Sequence, residues 1–336
     1  MAIEATSQAC GPRYPEYLPH YDPLEKVVPV GAFEHEDPGH RAEPSFPNLL
    51  KDATKVVELS PHCGTELQGV QISDLSSEGL DELALMVAQR GCLVFRDQKF
   101  TDLGFERQKE IASHFGPLHK HGWMPHPKEG PEEFVISPES QPPGATFFCM
   151  LESPPGAGGD TIISSMTRAF TRLSPSFRRR LEGLQAVHTT ANPIAREIRD
   201  NGAAAVMRRP ITRSIHPVVT VHPVTGEKAL FVNSSYTQSI VGWDEEESDY
   251  LLKFLFDHIN RGHDFTCRVR YEPGTVVIWD QRVTQHSQTL DYKAGDRRHA
   301  FRLTPLANIP VPSKVEDADA DGECARDEGR MLLNLC

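Results

Sequence analysis

The sequence is short of positive charge. Its 35 lysines and arginines face 47 acidic residues, a formal net charge of −12, so it lacks the basic face that nucleic-acid binding requires. It has no run of 18 apolar residues, the length of a membrane-spanning helix, and Met1 to Pro12 carry no apolar signal core. No C-x-x-C pair occurs among the seven scattered cysteines, Cys10, Cys63, Cys92, Cys149, Cys267, Cys324 and Cys336. Cys92, Cys149 and Cys267 fall within apolar runs and read as buried thiols, which fits a reducing, cytoplasmic setting. The G-x-G-x-x-G, P-loop and G-x-S-x-G motifs are absent, so none of the signatures for dinucleotides, nucleoside triphosphates or serine hydrolases is present.

What is present is strand-rich. Residues 1–50, rich in Pro, Gly, Tyr and His, read as an N-terminal arm, and residues 311–336 as an acidic, disordered tail. Between them, 51–310 reads as one domain. Leu80, Leu83, Ala84, Val87 and Ala88 recur at helical spacing, with Ser76 or Ser77 as N-cap and Gly91 as stop. A second helix is expected from Asp102 to His114, and another over Glu245 to Asn260. Short apolar runs such as Cys92 to Phe95, Thr146 to Leu151, Thr161 to Ile163, Ser214 to Thr220, Thr275 to Trp279 and His299 to Leu303 read as strands. Many short strands with turn punctuation predict a mainly β fold with peripheral helices, a jelly roll.

The chemistry concentrates near the C-terminus. A buried strand runs into the corner Trp279-Asp280-Gln281-Arg282, and the next strand carries His286. Arg298 and Arg302 follow, four residues apart, so in a strand both face one side. Two inward guanidiniums require anionic partners, and small carboxylates supply them with bidentate geometry. Gly158-Gly159-Asp160-Thr161 enters a strand at which Thr161 can aim a hydroxyl at the same carboxylate.

These stretches, with Gly91 to Gln98, Phe115 to His121, Gln141 to Thr146 and Leu230 to Asn233, resemble the taurine dioxygenase family of Fe(II)/2-oxoglutarate-dependent oxygenases, close to its sulfonate and xanthine dioxygenase branch. The resemblance implies a double-stranded β-helix and a 2-His-1-carboxylate iron site with three open positions. It implies Fe(II) as cofactor, 2-oxoglutarate as cosubstrate, O2 as co-reactant, and hydroxylation of a small, anionic organic molecule with release of succinate and CO2. Carried over by position, His286 resembles an iron ligand. Thr161 and Arg298 resemble the groups that hold the far carboxylate of 2-oxoglutarate. His121, Arg302 and Asn233 resemble groups that face the substrate.

One element of the family pattern is missing. A W-H-x-D segment should precede Gln141 by about ten residues, yet no His occurs between His126 and His188. Roughly 20 to 30 residues of the pattern are absent before Ser137. The one H-x-D in the chain, His35-Glu36-Asp37, lies in the arm and reads as an accidental match. Three readings stay open: a truncated form of an active dioxygenase; a catalytically inactive homologue that binds or senses a small acid through the retained clamp; and a re-routed metal site that uses His119, His121 or His126 with His286. No nucleic-acid or membrane partner is expected, and a homo-oligomer is left open.

Overall fold

The computed structural model describes residues 13–20, 33–120, 126–128, 143–192, 195 and 211–314. It is mainly β with peripheral helices. Six strands form the main sheet in the order His299–Leu303, Ala145–Glu152, Val276–Asp280, Cys92–Phe95, Thr65–Gln68 and Lys55–Glu58. All neighbours pair antiparallel except Thr65–Gln68 with Cys92–Phe95, which run parallel because helix Ser77–Arg90 carries the chain back between them. A three-stranded sheet has Thr161–Ser165 at its centre, flanked by Thr266–Val269 and Thr284–Gln288. Another places Gln185–Thr189 between Arg213–Pro217 and Thr237–Ile240.

The main sheet is buried on both faces, which explains its continuous apolar runs. Leu93, Phe95, Phe147, Val276, Ile278 and Phe301 pack outward with Leu83 and Val87 of helix Ser77–Arg90. The alternate residues Cys92, Val94, Met150, Val277 and Trp279 face Ile163, Cys267 and Val269 of the three-stranded sheet. The period of two thus divides each strand between an outer core and an interior between sheets.

The expected helix at 102–114 is split. Gly104, at φ +74°, separates a 3-10 turn at Lys99–Asp102 from helix Phe105–Ser113. The run Ser214 to Thr220 also divides, with Arg213–Pro217 in one sheet and Val219–Val221 in another, where it pairs with Lys228–Leu230. Pro217 has no N–H to extend the first ladder. Helix Glu245–Asn260 has the expected bounds and starts with an Asp244/Glu247 capping box. Parts of the N-terminal 50 residues pack tightly: Tyr17 is buried, stacks on Phe301 at 4.5 Å and accepts from Gln108 Nε2 at 2.7 Å. Residues 315–336, which include the acidic tail, lie outside the described residues.

A buried charge network fixes the corner after Val276–Asp280. Arg282 donates Nε to Asp280 Oδ1 at 2.9 Å and Nη2 to Asp280 Oδ2, and its Nη1 reaches Asp37. His222 Nδ1 accepts from the N–H groups of Val224 and Thr225, so its Nε2 carries the proton that it donates to Asp280 Oδ2 at 3.1 Å. Burial would raise the Asp280 carboxyl, but Arg282 and His222 outweigh it and hold it well below the usual carboxylate range.

Arg282→Met would leave two buried carboxylates without their cation. The expected loss is about 3–5 kcal/mol, read from urea midpoints. A depressed folded pKa means that the contribution is present above about pH 4 and fades as pH falls below it. The parent should therefore show a steeper acid limb than the variant.

Candidate active site

The corner delivers His286. Strand Thr284–Gln288 pairs with Thr161–Ser165 so that His286 lies opposite Ile163, and its ring packs 4.7 Å from Trp279. The imidazole opens onto a cavity of about 370 Å³, a volume typical of small-molecule sites. The side chain is exposed; desolvation by nearby protein first, and the Arg302 guanidinium second, lower its pKa to about 4. The ring is therefore neutral at physiological pH, the state in which histidine ligates a metal.

Arg302, Asn233 and His119 line the same cavity. Arg302 stands in strand His299–Leu303 opposite Phe148. Asn233 sits at a turn, and its Oδ1 accepts from the N–H groups of Ser235 at 3.1 Å and Tyr236 at 2.9 Å, which leaves the amide nitrogen as its ligand-facing donor. His119 is buried at the wall, its backbone N–H bonded to Thr304 O. His121 lies outside the described residues. His126 pairs with His20 in a separate short ladder and does not line the cavity.

Thr161 and Arg298 come together around Tyr271, which the sequence reading does not single out. Tyr271 donates its hydroxyl to Thr161 Oγ1 at 2.8 Å, and the Arg298 guanidinium lies 5.6 Å from the Tyr271 ring centroid and 5.5 Å from that of Phe148. Arg298 Nε is held by Gly159 O at 2.9 Å, so the guanidinium is anchored by its inner nitrogen. Gly159 itself is tight against this side chain: a Cβ there would fall 3.0 Å from Arg298 Cδ, at φ +72°. A fixed guanidinium and a threonine hydroxyl with its proton still to donate suit a carboxylate. Neither residue lines the main cavity, from which they are separated by the Phe148–Trp279–His286 run of rings.

The opposite wall was also missed from sequence. His188 and His216 meet edge to face at 5.2 Å, and His188 stacks on Phe231 at 5.6 Å. Ser214, Thr189, Thr190 and Thr212 add hydroxyls around them. Burial, then His216, lower the His188 pKa to about 3. The available signal was two histidines, each inside a short strand-like run, Gln185–Thr189 and Arg213–Pro217.

The iron fit is incomplete. Among the described residues, the only group of three metal-ligating side chains drawn together is Cys63, Cys92 and Cys267; no second imidazole and carboxylate gather with His286. The H-x-D at 35–37 serves elsewhere: Asp37 caps the turn Pro38–Arg41 and pairs with Arg282, and it lines a different, smaller cavity with His35.

Residues 55–304 match the model of the taurine catabolism dioxygenase TauD, TfdA family, and the chain belongs to that family. It is 78% identical to the alpha-ketoglutarate-dependent dioxygenase cnsM of Penicillium expansum, over 99% of this chain and 100% of that protein. It is 39% identical to an alpha-ketoglutarate-dependent sulfonate dioxygenase of Saccharomyces cerevisiae, over 89% of this chain and 79% of that one. A taurine dioxygenase from Burkholderia xenovorans superposes with a TM-score of 0.64 at 29% identity, covering 77% of this chain and 91% of that one. By family the chain is a 2-oxoglutarate-dependent dioxygenase with Fe(II) as its cofactor.

The alignment to the Penicillium relative spans 360 positions against 336 residues here, so at least 24 positions of that relative (360 − 336) face a gap in this chain. The size agrees with the segment that is absent before Ser137.

His188 generates a pH prediction. It is neutral in the fold but protonates near its ordinary value of 6.5 once unfolded, so stability falls as pH drops below about 6.5, and the loss continues towards pH 3. His188→Gln should remove this term. Urea midpoints at pH 7.5 and pH 5 should show the parent losing up to about 2 kcal/mol more than the variant on acidification.

Proposed function

We propose that this chain is built to hydroxylate a small, anionic organic substrate with Fe(II), 2-oxoglutarate and O2, on a jelly-roll domain spanning about residues 51–310. The observation that carries the reading is the convergence of His286 and Arg302 on one cavity, with Arg298 and Thr161 held together behind it. Arg298 and Thr161 would take the far carboxylate of 2-oxoglutarate, with Tyr271 holding the Thr161 hydroxyl in place. Arg302 would pair with the substrate's anionic group, and the Asn233 amide would donate a hydrogen bond beside it. His286 would supply one imidazole to iron. When bound, the metal and cosubstrate supply the oxidising chemistry.

The other two iron ligands are not supplied by the described residues. The gap against the 78%-identical relative falls in the size range of the missing ligand segment. An inactive, acid-binding role has no observation of its own in its favour. We infer a cytoplasmic setting from the free, buried thiols Cys63, Cys92, Cys149 and Cys267, and no described helix is long and apolar enough to cross a membrane.

Two outcomes test this. Calorimetric titration should show 2-oxoglutarate binding that Arg298→Ala weakens by about 2–5 kcal/mol, as for loss of one partner of a buried charged pair; equal affinity in variant and parent would sink the clamp. Anaerobic Fe(II) titration with 2-oxoglutarate should give a saturable visible band and, on admitting O2, succinate, once the missing segment is restored from the Penicillium relative. A band from the chain as it stands would place the remaining ligands on residues beyond the described ones. No band after restoration would reject the iron assignment of His286.

A further inference from the structure

Three cysteine thiols meet on the closed side of the interior, away from the cavity. Cys63 comes from the turn before strand Thr65–Gln68, Cys92 opens strand Cys92–Phe95, and Cys267 lies in strand Thr266–Val269. They are buried, at 0%, 0% and 5% exposure. The Cys92–Cys267 and Cys63–Cys267 sulfur separations are both 3.7 Å, and all three sulfurs lie within 4.8 Å of one another.

The triangle has a definite centre. With two edges of 3.7 Å and a third between that length and 4.8 Å, the point equidistant from the sulfurs lies about 2.1–2.4 Å from each, which brackets the ~2.3 Å metal–thiolate bond. An ion therefore fits in the plane of the thiols with little movement of the surrounding core. The backbone is cut to allow this convergence. Gly64 has φ +81°, and a Cβ there would fall 2.8 Å from Cys267 Sγ and 3.3 Å from Cys92 Sγ. Arg90 wraps the same turn, donating to Ser60 O at 2.8 Å, Gly64 O at 3.1 Å and Thr65 Oγ1 at 2.8 Å, which sets a positive charge beside the cluster.

We propose that Cys63, Cys92 and Cys267 form a three-thiolate site for a thiophilic d10 cation, Zn(II) or Cu(I). Sulfur-only donors select this class. Either ion displaces three thiol protons; the filled site then carries −1 with Zn(II) and −2 with Cu(I), and the neighbouring Arg90 guanidinium offsets one charge. No fourth Cys, His, Asp or Glu joins the group among the described residues, so the site is three-coordinate in protein ligands. Its role is to clasp the main sheet, through Cys92, to the three-stranded sheet, through Cys267. In that sheet Cys267 lies opposite Ile163, and Ile163 lies opposite His286, so the clasp backs the row that carries the active-site imidazole.

The test uses the full chain, unfolded and refolded under reducing, oxygen-free conditions with one equivalent of Zn(II) or of Cu(I), then desalted. Elemental analysis should find one ion per chain for at least one metal. Cys92→Ser and Cys267→Ser should lose it, while Cys149→Ala and His286→Ala retain it. X-ray absorption of the loaded parent should show a shell of three sulfurs near 2.3 Å, which decides the matter even if the cysteine variants fail to fold. Retention of Zn(II) alone or of Cu(I) alone identifies the ion. Less than a tenth of an ion per chain with both metals would overturn the proposal. So would a nitrogen or oxygen shell, or loss of the ion in His286→Ala.

Discussion

The Asp280–Arg282 pair is the constraint on which the site depends. Between strand Val276–Asp280 of the main sheet and strand Thr284–Gln288 of the three-stranded sheet there are only three residues. The chain must change sheets in that space. Asp280 accepts from the Arg282 backbone N–H at 2.8 Å as well as from its guanidinium, and its carbonyl accepts from Thr284 Oγ1 at 2.6 Å. One residue thereby closes the corner through both its side chain and its backbone. The same carboxylate draws in His222 from the turn after Val219–Val221, and Arg282 draws in Asp37 from the N-terminal region. A buried ion cluster is weak evidence for net stability, because its desolvation is costly. Its effect here is positional: it sets the register at which His286 enters its strand.

That register decides what the cavity can do. A one-residue slip would move His286 to the opposite face of its strand. With the observed pairing, His286 stands against Trp279, and the ring run Trp279–Phe148 ends at Arg298. These rings form one chain of contacts from His286 to Arg298. Arg298 also gains a face-on ring contact on Phe148 and Tyr271, which stabilises a guanidinium that has no carboxylate partner among the described residues.

Much of this was legible in the sequence because the signals were local. The Ser76 cap, the Gly91 stop and the period of Leu80 to Ala88 define a helix without reference to anything distant, and helix Ser77–Arg90 follows them. The same is true of Glu245–Asn260. The spacing of Arg298 and Arg302 predicts a shared face, but Arg298 lies just before strand His299–Leu303, whose register shifts between His299 and Ala300, and only Arg302 lines the cavity. The parts that escaped depend on pairing across the chain. Nothing in the vicinity of Tyr271 announces that its hydroxyl will meet Thr161, 110 positions away. Nor do His188 and His216 reveal their contact until Gln185–Thr189 and Arg213–Pro217 are laid side by side. The cysteines show the same limit. Cys92 and Cys267 were readable as buried, but their convergence with Cys63 is a property of two strands and a turn.

The family framework and the incomplete iron face follow from the same architecture. Arg302 stands in the main sheet, His286 in the three-stranded sheet packed against it, and Arg298 just ahead of strand His299–Leu303, so all three are placed by the packed core. Fe(II) is held by charge and geometry from three strong donors, and supporting groups tune such a site by about 10- to 100-fold without replacing a ligand. The cavity and the packed core can therefore be complete while the described residues supply His286 without a second imidazole and carboxylate beside it. The distinction is between side chains that the packed core positions and metal ligands that must come from beyond the described residues.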